Sequence, residues 1–372
     1  MAIQTVTGLG GVGKTQLVAR YVASHADSYE IVAWVRAQDG GVGDLAALAR
    51  VLGLEVGESP PEERAALVLG ELERTQRRWL LVLDNLAGPR QLEQCCPPGG
   101  HGRVIVTTRH RGFDQFGPVL AVDVFDEDEA TDYLVRWTKR PDETAAARRL
   151  AIALGGLPLA LSHAAAFCVE SGTTFEDYLH LLSGLPTNEI FAQSPEAFYE
   201  QTVASTWEPS IEAAKAEAAL APTVLRMAAH LAPGRIPRSL FGVLVADPSQ
   251  PRYQKALVDA FATLHRYSLA DADQDTLSVH RVLQKVVRDD VGADPQPALA
   301  AIAALEMAWP ADVALTATWR ECEHLLPHVL ALGATQGLTG ERALTVVRVL
   351  SRGCASTSFV PAAASGRCRR RS

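Results

Sequence analysis

The segment GLGGVGKT, Gly8–Thr15, decides how the first part of this 372-residue chain folds. Before it lies IQTVT, Ile3–Thr7, a short run with β-branched residues that predicts a β-strand. After it comes Lys14–Ser24, where apolar residues recur at the spacing of one helix face. A strand, a glycine-rich turn and a helix in this order predict a loop whose backbone N–H groups turn inward where the helix begins.

This loop is suited to holding phosphate. Glycine lets the N–H groups turn inward without an interfering Cβ, and the helix N-terminus adds partial positive charge. In the pattern GxxxxGK[ST], Lys14 supplies a full charge and the Thr15 hydroxyl is suited to bind Mg²⁺. The predicted nucleotide-binding residues here are Gly8, Gly10, Gly11, Val12, Gly13, Lys14, Thr15 and Gln16.

A carboxylate follows the next strongly apolar run. WLLVLDN, Trp79–Asn85, predicts a buried strand that ends in Asp84. At the carboxyl end of a strand beside a phosphate loop, Asp84 is predicted to bind Mg²⁺ together with Thr15 and to take part in catalysis. A capping role for the following segment is the alternative. Asn85 comes next, and because an amide takes no proton from water, hydrolysis is expected to be slow.

An arginine ends another strand. VIVTTR, Val104–Arg109, predicts a buried strand whose carboxyl end meets the same crevice. Arg109 is therefore predicted to be the second catalytic residue, which senses a γ-phosphate. An arginine that simply faces solvent at a strand end is the alternative.

The chain divides into an α/β part and helical parts. Residues 1–125 alternate apolar strands with helices, and two further strands are predicted at Ile31–Val35 and Val119–Val124. This alternation predicts an α/β P-loop NTPase domain with a doubly wound parallel sheet. Residues 126–190 predict an all-α helical domain, and residues 195–292 combine helices with a hairpin, which favours a winged-helix domain. Residues 293–353 predict a short helical segment and a candidate start of a repeat region. Residues 354–372 predict a disordered tail.

Composition narrows the class of protein. Apolar residues form 48% of the chain, which is enough for buried cores, and the net charge of -8 does not favour binding to nucleic acid or anionic membranes. The chain does not begin with a signal-peptide pattern, and none of its apolar runs approaches the roughly 20 residues that span a bilayer. The expected location is cytoplasmic, without nucleic-acid or membrane partners.

Six segments in this order resemble the NB-ARC family of the signal-transduction ATPases with numerous domains (STAND), in its actinobacterial form with tetratricopeptide repeats. They are spread over residues 1–290 and read GLGGVGKTQL, IVAWVRA, WLLVLDN, VIVTTR, GGLPLAL and VHRVLQ. The resemblance implies a switch with an ADP-bound off state and an ATP-bound, self-associating on state. Mg²⁺ is implied as the second cofactor, and slow ATP hydrolysis is the most that is expected.

Two further site residues come from the resemblance alone. Pro158, in the GGLPLAL turn, is implied to lie against the nucleotide. His280, in SVHRVLQ, is implied to contact the β-phosphate of ADP and so to lock a closed state. Without the resemblance, Pro158 marks a break between helices and His280 is a structural histidine.

The chain departs from the family pattern at both ends. This favours a truncated gene product that lacks the C-terminal repeats through which unknown protein partners would be reached. The main alternative function is a winged-helix transcription regulator controlled by the P-loop domain, although Leu231–Asp290 shows no basic stripe. A metabolic kinase would need a lid and an acceptor site that the sequence does not indicate.

Overall fold

The computed structural model describes residues 1–38, 40–55, 59–190, 206–292, 294–310 and 318–333. The predicted disordered tail at 354–372 lies outside the described residues. So do the end of the predicted helical segment, 334–353, and the beginning of the predicted winged-helix domain, 195–205. Among the helices that the structure describes, none is long and apolar enough to cross a membrane.

Five parallel strands form the first sheet, in the order β2-β3-β4-β1-β5. Their bounds are β1 Ala2–Thr7, β2 Ile31–Arg36, β3 Trp79–Leu86, β4 Arg103–Thr108 and β5 Val119–Ala121. All five were predicted from apolar runs. The last is shorter than the predicted Val119–Val124. Its neighbour β1 ends at Thr7, whose carbonyl accepts from the Val122 N–H, so no strand remains for the residues after Val122 to pair with. The glycine-rich loop thus follows a strand with a neighbour on each side.

Helices cover both faces of this sheet. They are α1 Lys14–His25, α2 Val42–Val51, α3 Pro61–Arg74 and α4 Pro89–Cys95. On one face, Val18 of α1 packs with Val6, Val82 and other strand residues. On the other, Leu45 of α2 and Val68 of α3 pack against strand residues that point the opposite way. The sheet is therefore doubly wound, as the sequence predicts.

The rest of the described chain is mainly helical. The helices are α5 Glu127–Thr138, α6 Thr144–Ala153, α7 Pro158–Ser171, α8 Phe175–Gly184, α9 Thr187–Ile190, α10 Glu208–Glu217, α11 Ala221–Ala228, α12 Pro251–Arg266, α13 Arg281–Val291, α14 Gln296–Ala308 and α15 Trp319–Gly333. A small antiparallel sheet has the order β6-β8-β7, with β6 Ile236–Pro237, β7 Asp271–Ala272 and β8 Thr276–Ser278. One apolar core joins α5–α15.

The loop after β4 joins the two parts of the structure. The Arg111 N–H donates to the Arg266 carbonyl at 2.8 Å, and the Ser268 hydroxyl donates to the Arg109 carbonyl at 2.5 Å. The Arg111 guanidinium also contacts Asp271 at 2.6 Å. These contacts hold the end of α12 and the start of β7 beside the carboxyl edge of the parallel sheet.

Candidate functional site

The loop between β1 and α1 has the conformation that the sequence predicts. Gly13 is the residue before α1 and has a φ of +95°, in the left-handed region that glycine favours. A Cβ on Gly8 would lie 2.3 Å from the Val122 carbonyl oxygen, so the backbones approach too closely for a side chain. No side chain caps α1, which leaves its first N–H groups available to an anion.

Lys14 is a buried cation that is held by carbonyl groups. Its ammonium donates to the carbonyls of Gly8 at 2.9 Å and Leu9 at 3.0 Å. Burial, and then the nearby Arg109 charge, lower its pKa to about 7, and Asp84 opposes this only in part. A bound phosphate would favour the charged amine, so this environment fits an anionic ligand.

Asp84 lies at the centre of a cluster of hydroxyls. It accepts a hydrogen bond from Thr15 Oγ1 at 2.9 Å and another from Thr107 Oγ1. A carboxylate beside a hydroxyl is the oxygen donor set that Mg²⁺ prefers, so these residues fit that ion. Thr107 was not predicted, although a hydroxyl at the end of a buried strand was a signal that could have indicated it.

Asn85 lies in a bulge directly after Asp84. Its φ is +59°, and the pairing of β3 with β4 shifts register between Leu83 and Leu86. Its amide Nδ2 donates to Gln38 Oε1 at 2.8 Å, and its backbone N–H donates to Thr107 Oγ1 at 2.8 Å. Asn85 therefore presents an amide beside Asp84 and adds no second carboxylate there.

Arg109 extends from the end of β4 towards the beginning of α10. Its Nη1 donates to the Thr206 carbonyl and lies 3.4 Å from Ser210 Oγ. Burial lowers its pKa from the usual value, although a guanidinium stays charged. Its charge acts on Lys14, so Arg109 lies near the phosphate loop while it contacts a distant part of the chain.

The GGLPLAL turn contacts the phosphate loop directly. Pro158 is the first residue of α7, and the Leu159 N–H donates to the Gly11 carbonyl at 3.1 Å. A Cβ on Gly11 would lie 3.0 Å from the Leu159 Cβ. Pro158 itself is half-buried and adjacent to this contact.

His280 joins α13 to the same turn. Its Nε2 donates to the Gly155 carbonyl at 2.9 Å, and its Nδ1 accepts from the Val282 N–H at 3.3 Å as the N-cap of α13. Burial is the main cause that lowers its pKa below the usual value. The ring is therefore neutral, with its hydrogen on Nε2, and it contacts the turn that packs on the loop.

The predicted residues fall into two groups. Lys14, Thr15, Asp84 and Arg109 lie around the loop, with Val12 buried below it and Gln16 exposed on α1. His280 lies on another side of the loop. There it lines a cavity of about 840 Å³ whose walls include Gly8, Leu9, Gly155 and His265. The side chains of Arg109 and His280 bond to different elements, so the structure does not bring them together.

The sheet order, the loop after β1 and the hydroxyl–carboxylate pair beside it define a P-loop NTPase domain. Residues 1–137 of the chain match the NB-ARC domain.

Curated relatives match different lengths of the chain. A nucleotide-binding leucine-rich repeat (NLR)-like protein of Hyaloscypha variabilis is 24% identical over 326 residues, which are 76% of this chain and 32% of that protein. Regulatory protein AfsR of Streptomyces griseus is 32% identical over 178 residues, which are 44% of this chain and 18% of that protein. The chain thus spans a third or less of the length of these relatives.

Solved structures also resemble the chain. A Walker-type ATPase of Pyrococcus abyssi has a TM-score of 0.48 and 12% identity, and covers 77% of this chain and 91% of its own. A STAND protein with a tetratricopeptide repeat sensor from Pyrococcus horikoshii has a TM-score of 0.32 and 14% identity, and covers 96% of this chain and 51% of its own. The NB-ARC match rests on the sequence of residues 1–137 and not on these superpositions.

Proposed function

We propose that the chain is an adenine-nucleotide switch that is closed around ADP and open, and self-associating, with ATP. The observation that carries this proposal is the convergence of distant segments on the phosphate loop. Leu159 bonds to Gly11, Thr206 and Trp207 lie against Gly10, and His280 shares a cavity with Gly8. A nucleotide in the loop would therefore bias contacts between the sheet and the helical part.

The chain's own residues would divide the work of holding the nucleotide. The N–H groups of the loop and the Lys14 ammonium would bind the phosphates, and Pro158 would lie against the nucleotide. Thr15 and Asp84, 2.9 Å apart, would hold Mg²⁺. The metal, when bound, supplies positive charge that offsets the charge of the phosphates.

Several contacts must act together to hold the closed state. Moving a two-state equilibrium from 1:99 to 99:1 needs about 5.5 kcal/mol of differential affinity. The bond from His280 to the Gly155 carbonyl joins neutral groups and is worth about 0.5–1.5 kcal/mol. The Arg109–Thr206 and Ser268–Arg109 hydrogen bonds are further contacts that opening would break.

The switch should hydrolyse ATP slowly. Asn85 has no basic group, and Arg109 is engaged by Thr206 and Ser210 instead of being free to face a third phosphate. We expect steady-state turnover well below about 1 s⁻¹, the lower end of typical enzyme rates. We expect Asn85→Asp to raise it. A parent rate far above this value would contradict the proposal.

The nucleotide that co-purifies with the protein tests the proposal most directly. The protein would be denatured, the released nucleotide identified by chromatography, and its amount compared with that of the protein. We expect one ADP per chain, and a larger assembly by light scattering when ATP replaces ADP. A protein that carries no nucleotide and binds neither ADP nor ATP would overturn the proposal.

A DNA-binding regulator is the second candidate, prompted by the name of the relatives called Regulatory protein AfsR. The α10–α13 region would then contact DNA. Two of its basic side chains are engaged within the protein, which disfavours this role: Arg238 lies over the Phe261 ring at 4.8 Å, and Arg288 donates to the Ala229 carbonyl. Salt-dependent binding to duplex DNA would restore the candidate.

A further inference from the structure

A segment far along the chain lies directly against the phosphate loop. A Cβ on Gly10 would be 2.9 Å from Thr206 Cγ2 and 3.1 Å from Trp207 Nε1. The indole is 1% exposed, and Trp207 is the residue before α10. The side of the loop that Gly10 presents is therefore covered by a tryptophan from the helical part of the structure.

Arg109 holds this segment from the other side. Its guanidinium donates to the Thr206 carbonyl, and its charge also acts on Lys14 within the loop. Thr206 and Trp207 thus lie between the guanidinium and the loop. This is the space that a phosphate group would enter if it were to contact both Lys14 and Arg109.

The indole N–H of Trp207 has no acceptor among the described residues. Indole nitrogen only donates, and a buried donor without a partner is unusual in folded proteins. By contrast, the equally buried Trp79 donates its Nε1–H to the Leu72 carbonyl at 2.8 Å. An acceptor from a bound molecule would satisfy the Trp207 donor, and the atoms beside it belong to a loop built for phosphate.

We propose that Trp207 is the residue that distinguishes nucleoside diphosphates from triphosphates, an inference that rests on the proposed nucleotide function. Its N–H donates to an oxygen of the terminal phosphate of a diphosphate, and its ring fills the space of a third phosphate. A triphosphate binds only when Trp207 moves away from Gly10. This movement also breaks the Arg109–Thr206 bond and so frees Arg109 for the added phosphate.

Two substitutions separate the donor from the bulk of the ring. Trp207→Phe removes the N–H and keeps an aromatic ring, while Trp207→Ala removes both. The matched control is Trp309→Phe, since Trp309 is 6% exposed and its Nε1 also lacks a partner among the described residues. Trp309 follows α14, which packs against α11 and α15.

Binding of Mg·ADP and of a non-hydrolysable Mg·ATP analogue would be measured by calorimetry. We expect Trp207→Phe to bind ADP roughly 10- to 150-fold more weakly, the range for a hydrogen bond to a charged group. Trp207→Ala should bind the ATP analogue at least about 10-fold better relative to ADP than the parent does, as expected when a steric barrier is lost. Trp309→Phe should match the parent. Tryptophan emission should also change on ADP binding in the parent and not in Trp207→Phe.

Each outcome separates this inference from the proposed function. If both Trp207 variants bind both nucleotides within twofold of the parent, while Lys14→Ala binds neither, the loop is a nucleotide site and the role of Trp207 is wrong. If the parent binds neither nucleotide, the proposed function fails first. An equal weakening by Trp309→Phe would mean that the loss in Trp207→Phe reflects general destabilisation, and would also overturn the inference.

Discussion

The two sides of the phosphate site are held in different ways. On one side, the loop and Asp84 are fixed by parallel strands whose backbones pair along their length, with Thr7 opposite Thr108 and Arg36 opposite Asp84. On the other side, the α10–α13 region reaches the site through separate side-chain contacts. These include Arg109 to the Thr206 carbonyl and His280 to the Gly155 carbonyl.

This difference assigns a separate task to each side. A strand edge cannot move without breaking a ladder of backbone bonds, so the loop side is preorganised for phosphate. Separate hydrogen bonds, each worth about 0.5–3 kcal/mol, can break and be replaced by others when the ligand changes. We call the α10–α13 region the covering side, and it is the part whose position a bound nucleotide can set.

Lys14→Ala should abolish nucleotide binding and leave the fold intact, because the lysine bonds only to carbonyls of its own loop while the paired strands hold the sheet. Mg·ADP at 100 times its Kd adds about 2.7 kcal/mol to the stability of a protein with one site. Thermal melting should show this gain in the parent and no gain in the variant. The control is Lys255→Ala, which removes an exposed lysine on α12 that pairs with Asp259. Equal gains in the parent and in Lys14→Ala would contradict the assignment of the site.

His280→Ala should speed ADP release, because it removes a contact of the covering side. Its ring bonds to the Gly155 carbonyl and caps α13. A hydrogen bond between neutral groups is worth about 0.5–1.5 kcal/mol, so release should rise about 2- to 13-fold. A fluorescent ADP analogue would follow it.

His280→Asn sharpens this measurement. Asparagine is a good N-cap and should keep α13 capped, but its shorter side chain should lose the bond to the Gly155 carbonyl. Faster release in both variants would assign the effect to the Gly155 contact. Faster release in His280→Ala alone would assign it to the cap, and a rate within twofold of the parent in both would mean that His280 is only a structural histidine.

Mild acid should weaken the covering side through the same histidine. Burial, with a smaller contribution from Arg281, lowers the pKa of His280 in the folded state, and the hydrogen bond to the Gly155 carbonyl and the charge of Asp123 oppose this only in part. As pH falls, His280 therefore takes up a proton in the unfolded state before it does so in the folded state. The contribution of the neutral His280 ring to stability is complete above the unfolded pKa of about 6.5. It is lost as pH falls below that value towards the folded pKa.

ADP release from the parent should therefore accelerate as pH is lowered below about 6.5. In His280→Asn the acceleration should be smaller. His265 lines the same cavity, and burial and Arg111 also lower its pKa. His265→Asn is therefore the matched control. If the acceleration disappears in this control and persists in His280→Asn, His265 and not His280 is the group that titrates.

Asp271→Asn should have the smallest effect. The Arg111–Asp271 pair is short, at 2.6 Å, but the carboxylate side chain is 73% exposed. Exposed ion pairs contribute about 0–1 kcal/mol, so ADP affinity should change no more than about fivefold. The change should shrink further at high salt. A larger, salt-independent loss would mean that the covering side depends on this contact more than its exposure indicates.

The sequence predicted the loop side of the site well because its signals are local. GLGGVGKT fixes the turn between strand and helix, Asp84 follows the apolar run of β3 two residues before that strand ends, and Arg109 directly follows β4. Parallel strands place their carboxyl ends on one edge of the sheet, so the apolar runs predict which residues lie at that edge. Thr107 was missed because it lies inside a run and its hydroxyl was taken as part of the strand.

The covering side could not be predicted in the same way. Trp207 contacts a glycine almost two hundred positions earlier, and nothing in its neighbourhood along the chain indicates this. His280 was suggested by resemblance, but its bond to the Gly155 carbonyl depends on how α13 meets the turn before α7. Such contacts are set by the packing of whole elements, which local periodicity does not encode.

The order of the site along the chain has a consequence for its synthesis. The loop and its sheet precede Gly155, and His280 follows Gly155 by 125 positions. At about 5–20 residues per second, a ribosome needs roughly 6–25 s to add those residues. During that interval the phosphate loop exists without its complete cover. The first nucleotide to bind therefore meets an open site, and the cover is assembled around a ligand that is already in place.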